Sequence, residues 1–310
     1  MIIPYATVGF GPSIGSGNLS VSWAELVWAA VTYGKSSSCY HLKHPGHSRA
    51  EKKYRAYLLY TCLKQTGTRL FKSRLYTEMD QTEKGAASYF LGMTLTKLFA
   101  DRLLNTPLLW HVSTSSQAIS FMPGKSRPDL IGCTATLNKW IVAESKGRSD
   151  GFDASALSKA KAQSQMVTTI NGQAPKFRFG SESYFSPDLR IAMEDPPAQR
   201  DATPVQFNIN QALAEYYSIL PMLLERGSEE SIRGVAYLTM HDEDVGVSIG
   251  LPKNFYVPTS ESTLVVPELA QPHGNPDSQL EHVGSDGFFI RLDSRWSEQE
   301  MKKEPHSRGG

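Results

Sequence analysis

The chain has 310 residues, 40% hydrophobic and 20% charged, and its 32 Lys+Arg against 31 Asp+Glu leave a net charge of +1 that names no partner. Cys39, Cys62 and Cys133 are widely spaced and odd in number, which argues against a disulfide scaffold and for a reducing cytoplasm. No apolar run reaches bilayer length, and the first residues lack the charged and apolar regions of a signal peptide. A soluble, cytoplasmic protein with no membrane partner is expected.

Residues 1–20 carry Gly9, Gly11, Gly15 and Gly17, but no Lys-Ser/Thr pair follows as a phosphate loop requires, so a flexible lead-in is expected. A short helix is predicted over 22–33, with Ser22 as cap and Glu25 completing a capping box. Cys39, His41, His44 and His47 fit no zinc-ligand spacing and read as a loop. Between 41 and 74 the chain turns basic, with Lys43, Arg49, Lys52, Lys53, Arg55, Lys64, Arg69, Lys72 and Arg74 against Glu51. Tyr54, Leu58 and Cys62 recur at helical spacing, which predicts an amphipathic helix over 48–65. Its cations Lys52, Lys53 and Arg55 suit either a nucleic-acid backbone or a plain solvated face.

A longer helix is predicted over 82–104, with Thr82 as cap and Ala87, Phe90, Leu91, Leu95 and Leu98 on its apolar face. Glu83 opens that face, either as a favourable charge at the helix start or as an acidic site residue. Strands follow over 108–112 and 117–121, in which Trp110 and His111 read as core and strand-edge residues.

The informative stretch is 127–148, RPDLIGCTATLNKWIVAESKGR. Two apolar runs flank a polar turn at 136–139, which predicts a hairpin. Folding about residue 137 sets Asp129 opposite residue 145 and brings Asp129, Glu144 and Lys146 to the open end. Glu144 and Lys146 share a strand face, because side chains alternate. Two carboxylates and an ammonium at the end of a buried hairpin are costly unless something binds there. Carboxylate oxygens suit Mg2+ (or Mn2+) shared with a phosphate, and the Ser145 carbonyl is a further oxygen ligand.

A helix is predicted over 154–170, where Lys159, Lys161, Gln163 and Gln165 form the polar side; with Arg148 its lysines lie near the charged end of the hairpin. Further on, a strand at 189–193, a helix at 208–224 kinked or ended by Pro221, and a hairpin of 234–240 with 245–251 complete a core over 79–255. Residues 1–78 read as a helical, basic N-terminal extension. Residues 256–310 read as an irregular C-terminal segment with a short strand at 288–292.

Pro128-Asp129 followed by Glu144-Ser145-Lys146 resembles the PD-(D/E)XK nuclease superfamily, over roughly residues 80–175. The resemblance implies an α/β, restriction-endonuclease-like mixed β-sheet core flanked by helices. It implies that Asp129 and Glu144 ligate the metal and that Lys146 positions the attacking water. Glu83 matches a further acidic residue on the preceding helix. Gln165 is the nearest match to a glutamine on the following helix, although Thr169 stands where a tyrosine would follow it. The implied function is metal-dependent hydrolysis of DNA phosphodiesters by a regulated effector, for example in antiviral defence, alone, as a homo-oligomer or under a partner protein. The alternative is a non-catalytic nucleic-acid-binding or assembly subunit that keeps the fold.

Overall fold

The computed structural model describes residues 1–12, 14–34, 45–115, 118–120, 127–196, 203–255 and 278–297. Cys39, His41 and His44 lie outside them. The first part of the chain forms β1 (Ile2–Val8), β2 (Gly17–Ser20), α1 (Trp23–Thr32), α2 (Pro45–Cys62), β3 (Leu63–Thr66), β4 (Arg69–Lys72) and α3 (Arg74–Glu78). There follow α4 (Gln81–Leu104), β5 (Leu108–His111), β6 (Ile119–Ser120), β7 (Leu130–Cys133), β8 (Trp140–Gly147), α5 (Ala154–Ser164), β9 (Val167–Ile170), β10 (Phe177–Phe185) and β11 (Leu189–Glu194). The last part contributes β12 (Thr203–Phe207), α6 (Ile209–Tyr216), α7 (Leu220–Arg226), β13 (Ser228–Ile232), β14 (Val235–Asp242), β15 (Val247–Pro252), β16 (Glu281–Val283) and β17 (Phe289–Leu292).

A nine-stranded mixed sheet in the order β3-β4-β1-β11-β10-β8-β7-β5, with β2 on β1, forms the centre. The expected flexible lead-in is therefore a structural strand. β1 runs parallel to β11, pairing Tyr5 with Ile191 and Val8 with Glu194. Unlike its local antiparallel partner β2, this partner lies far along the chain, where no local pattern announces it. The boundary expected at residue 78 is not a seam either, because β1 to β4 belong to the same sheet as the hairpin. One apolar core runs from Met1 to Trp296. α1 is buried along its whole length, as a helix apolar on all sides must be, and the expected Ser22–Glu25 capping box starts it.

Helix ends differ from expectation where a strand takes over. α2 stops at Cys62, and Leu63 and Gln65 then bury alternate positions of β3. α5 stops at Ser164, and Val167 and Ile170 become the buried ends of β9. The single helix expected over 208–224 is two, with Asn208 capping α6 and Pro221 inside the first turn of α7, where its missing N–H costs nothing. β10 was hidden because Gly180, Ser181, Glu182 and Ser183 interrupt its apolar pattern, yet it lies parallel to β8 and antiparallel to β11. The segment 278–297 adds β16 and β17 to a second sheet, ordered β13-β14-β15-β17-β16.

Two glycines seat the helices on either face of the hairpin strand. A Cβ on Gly147 would lie 1.7 Å from the Ser88 carbonyl oxygen of α4, and one on Gly180 would lie 2.7 Å from the Lys161 nitrogen of α5. Gly147→Ala must push α4 off β8 directly beside Lys146. Denaturant unfolding is expected to show a loss of about 3 kcal/mol, the upper end of ordinary overpacking.

Candidate active site

β7 and β8 pair antiparallel from Leu130↔Ala143 to Cys133↔Trp140. Leu137 takes the left-handed conformation (φ 57°) in the turn, and the Thr134 hydroxyl donates to Asn138 Oδ1 at 3.0 Å. Extending this register by one pair sets Asp129 opposite Glu144, one residue from the expected position. The two carboxylates thus share a face, and each accepts a backbone N–H from the facing segment. Asp129 N–H donates to Glu144 Oε2 at 2.8 Å, and Ser145 N–H donates to Asp129 Oδ2 at 3.0 Å. Lys146 Nζ donates to Glu144 Oε1 at 2.5 Å and to Gln163 Oε1 of α5 at 3.1 Å. Ser145 points to the other face, where its Oγ accepts from Thr96 of α4 at 3.0 Å. The alternation expected of the strand therefore holds across the whole triplet.

Glu144 and Ser145 are buried, while Asp129 and Lys146 are half-buried, so the cluster opens to solvent on the Asp129–Lys146 side. The N–H and C=O of a strand residue point the same way, so the Ser145 carbonyl faces the β7 side, as its N–H does. Continuing the register two pairs beyond Leu130↔Ala143 sets Pro128 opposite, and a proline has no N–H to give that carbonyl a ladder bond. The proline thus leaves a carbonyl oxygen beside two carboxylates. That donor set of three hard oxygens fits Mg2+ or Mn2+. Among the described residues, no group of three or more His, Cys, Asp or Glu side chains is placed to hold a metal.

Burial first, then the Asp129 charge, raises the Glu144 carboxyl above the ordinary carboxylate range, to about 7, and Lys146 only partly offsets this. A folded-state pKa above the unfolded value means that the folded protein binds the proton more tightly. The resulting stability is present below the unfolded pKa and is lost as pH rises through the folded one. Metal-free wild type should therefore lose stability relative to Glu144→Gln between about pH 4.5 and about pH 7, and a pH-independent difference would contradict this. A bound cation reverses the effect by favouring the ionised form.

The other expected site residues divide. Glu83 is exposed at the start of α4, where its carboxylate accepts the Asp80 N–H at 3.4 Å; Asp80, not Thr82, is the cap of a reciprocal capping box. Its position is explained by the helix end and not by the cluster. Gln165 is the buried C-terminal cap of α5, and Gln163, two residues earlier, is the amide that meets Lys146. Of the expected nucleic-acid contacts, Arg55 is buried and donates to the Ala30 and Tyr33 carbonyls at 3.1 and 2.8 Å, closing the end of α1. Lys53 bridges Asp242 and Asp244 at 3.1 and 2.5 Å. Arg148 pairs with Asp153 at 3.0 Å and Lys161 with Glu194 at 2.7 Å. Lys159 is exposed, and Lys52 lines an apolar crevice with Val31, Ala56 and Met240.

Compared with family models, curated proteins and solved structures, the chain finds no match among any of the three. The reading of the site therefore rests on its geometry.

Three residues that sequence reasoning did not assign to the site, Glu182, His111 and Tyr89, stand near the cluster. Glu182 of β10, in register with Lys146, is fully buried and accepts the Asp153 N–H at 2.7 Å, which anchors the start of α5. A lone glutamate inside FRFGSESYF was the available signal. His111 pairs with Leu130, next to Asp129, and its Nε2 lies 3.0 Å from the Tyr89 hydroxyl of α4. Burial, then the Asp129 charge, pushes that hydroxyl up to about 12.

Proposed function

We propose that this chain is a divalent-metal-dependent nuclease of the restriction-endonuclease-like fold that hydrolyses DNA phosphodiester bonds. The observation that carries the reading is the interlocked Asp129–Glu144 pair at the open end of the hairpin, with Lys146 held on the same face. A helix precedes the hairpin and another follows it, in the context that the PD-(D/E)XK resemblance requires. Asp129, Glu144 and the Ser145 carbonyl would hold Mg2+ or Mn2+, which supplies charge neutralisation at the phosphate and a more acidic water.

The chain's own residues do the rest. Lys146, fixed between Glu144 and Gln163, orients the attacking water and offsets negative charge as it builds on the phosphate. Gln163 is a positioning residue, since it acts through Lys146. Glu182 and Gly180 set the height of α5 and hence of Gln163. An intracellular nuclease with an assembled site must be restrained, so control by a partner protein or by self-association, as in antiviral defence, belongs to the same proposal.

Purified protein incubated with supercoiled plasmid, linear duplex and single-stranded DNA should cut at least one in Mg2+ or Mn2+ and none in chelator. Wild type that cuts nothing, or Lys146→Ala that cuts as well as wild type, would remove the proposal. A steeply salt-dependent, metal-independent binder would instead be the non-catalytic subunit.

A further inference from the structure

The sequence offers the cations of α2 as a phosphate track, yet Lys53 and Arg55 are engaged within the fold. The same helix exposes aromatic rings instead. Tyr54 is 51% and Tyr57 41% exposed, and Tyr89 of α4 is 39% exposed. These rings are not scattered. Tyr54 lies edge-to-face on Phe90 at 5.4 Å, and Phe90 on Tyr89 at 5.4 Å. Tyr89 in turn bonds His111, whose strand neighbour Leu130 adjoins Asp129. The backbone joins the same corner, because Val112 N–H donates to the Asp129 carbonyl at 2.9 Å. An aromatic line thus runs from the outer face of α2 to the candidate metal ligands.

Beside that line, α2 and α4 enclose an open groove of about 280 Å3, lined by Tyr54, Tyr57, Leu58, Met79, Glu83 and Ala86 among others. Its size is near the lower end of pockets that take small planar ligands. The charged residue lining it is Glu83, which repels phosphate. The part of a nucleotide that such a groove accepts is the base face. Aromatic rings stack on any base, and only an unpaired strand has its bases free to do so.

We propose that this groove and the Tyr54–Phe90–Tyr89 line bind single-stranded DNA by base stacking and lead it to Asp129 and Glu144. The inference rests on the nuclease reading for its direction, since it is the candidate metal site that makes one end of the line the destination. Single strands are preferred to duplex, and affinity comes from aromatic rings and not from the basic helix, so few counterions are released and its salt dependence is shallow.

The test is binding of the full chain, in chelator so that nothing is cut, to a labelled oligothymidylate, an oligouridylate of the same length and a duplex. Oligothymidylate should bind most tightly. Tyr54→Ala and Tyr57→Ala should each weaken it by about 10-fold, and Tyr54→Phe should restore it. Unchanged thermal unfolding of the Phe variant keeps a folding defect apart from a binding one. Duplex bound as tightly as the single strand, binding of the RNA alone, or Ala variants equal to wild type would overturn the proposal. A protein that binds through these tyrosines but never cuts keeps the stacking line and loses the nuclease. One that cuts duplex with Tyr54→Ala unimpaired does the reverse.

Discussion

Asp129→Asn should lower metal-dependent cleavage by about 10³-fold, equal to roughly 4 kcal/mol of transition-state stabilisation, while the protein stays folded. The substitution keeps an oxygen to accept the Ser145 N–H, now made at 3.0 Å, so the hairpin register survives. It removes one of two facing carboxylates. The Glu144 carboxyl, held up partly by the Asp129 charge, should then titrate lower. Stability of the metal-free variant should accordingly equal or exceed that of wild type at neutral pH. Loss of activity together with a gain in stability separates a functional carboxylate from a structural one. Cleavage rates and denaturant midpoints of the same two preparations decide it. An active variant, or an inactive but destabilised one, would contradict the assignment.

The largest stability effect is expected far from the site. Lys97 of α4 and Asp286 are both fully buried, 3.6 Å apart. Tyr216 of α6 receives Lys97 at 2.8 Å and donates to Asp286 at 2.5 Å. Trp28 of α1 donates its indole N–H to Asp286 at 2.9 Å, and its ring lies 4.4 Å from the Lys97 ammonium. Asp286→Ala strips the ammonium of its counter-charge in a fully buried site. Breaking one partner of such a pair costs about 3–5 kcal/mol. Replacing both Lys97 and Asp286 by apolar residues should recover much of this loss, because no uncompensated charge remains. Urea titrations of the single and double variants measure the difference. Because this network ties residues around 286 to three helices, its loss should loosen the attachment of β16 and β17.

The hairpin was legible because its signals are local. The Val, Ile and Leu runs around a Thr-rich turn, and charges at the ends, determine strand, turn and face without outside help. The capping box of α1 and the long apolar face of α4 are equally local, and both elements stand where periodicity puts them. What escaped depends on distant partners. β1 owes its place to the distant β11 and β4 besides its neighbour β2, and β10 to the distant β8 besides its hairpin partner β11. Neither relation leaves a mark in a short window. The site shows the same division. Asp129, Glu144 and Lys146 converge through strand register alone. Gln163 and Gln165 both stand on the expected polar side, and which of them meets Lys146 depends on how α5 packs against β8 and β10, a relation with no local mark. Arg55 read as a surface cation because a charge run carries no sign of the carbonyls that the fold brings to it.

The most direct measurement is a crystal soaked with Mn2+ and examined by anomalous scattering. The account predicts a peak between Asp129 and Glu144, with both carboxylates and the Ser145 carbonyl at roughly 2.1 Å and water in the remaining positions. In the same crystal, Asp129→Asn should abolish the peak. A soaked wild-type crystal with no density at this corner, or with Mn2+ held only by other residues, would contradict the central claim.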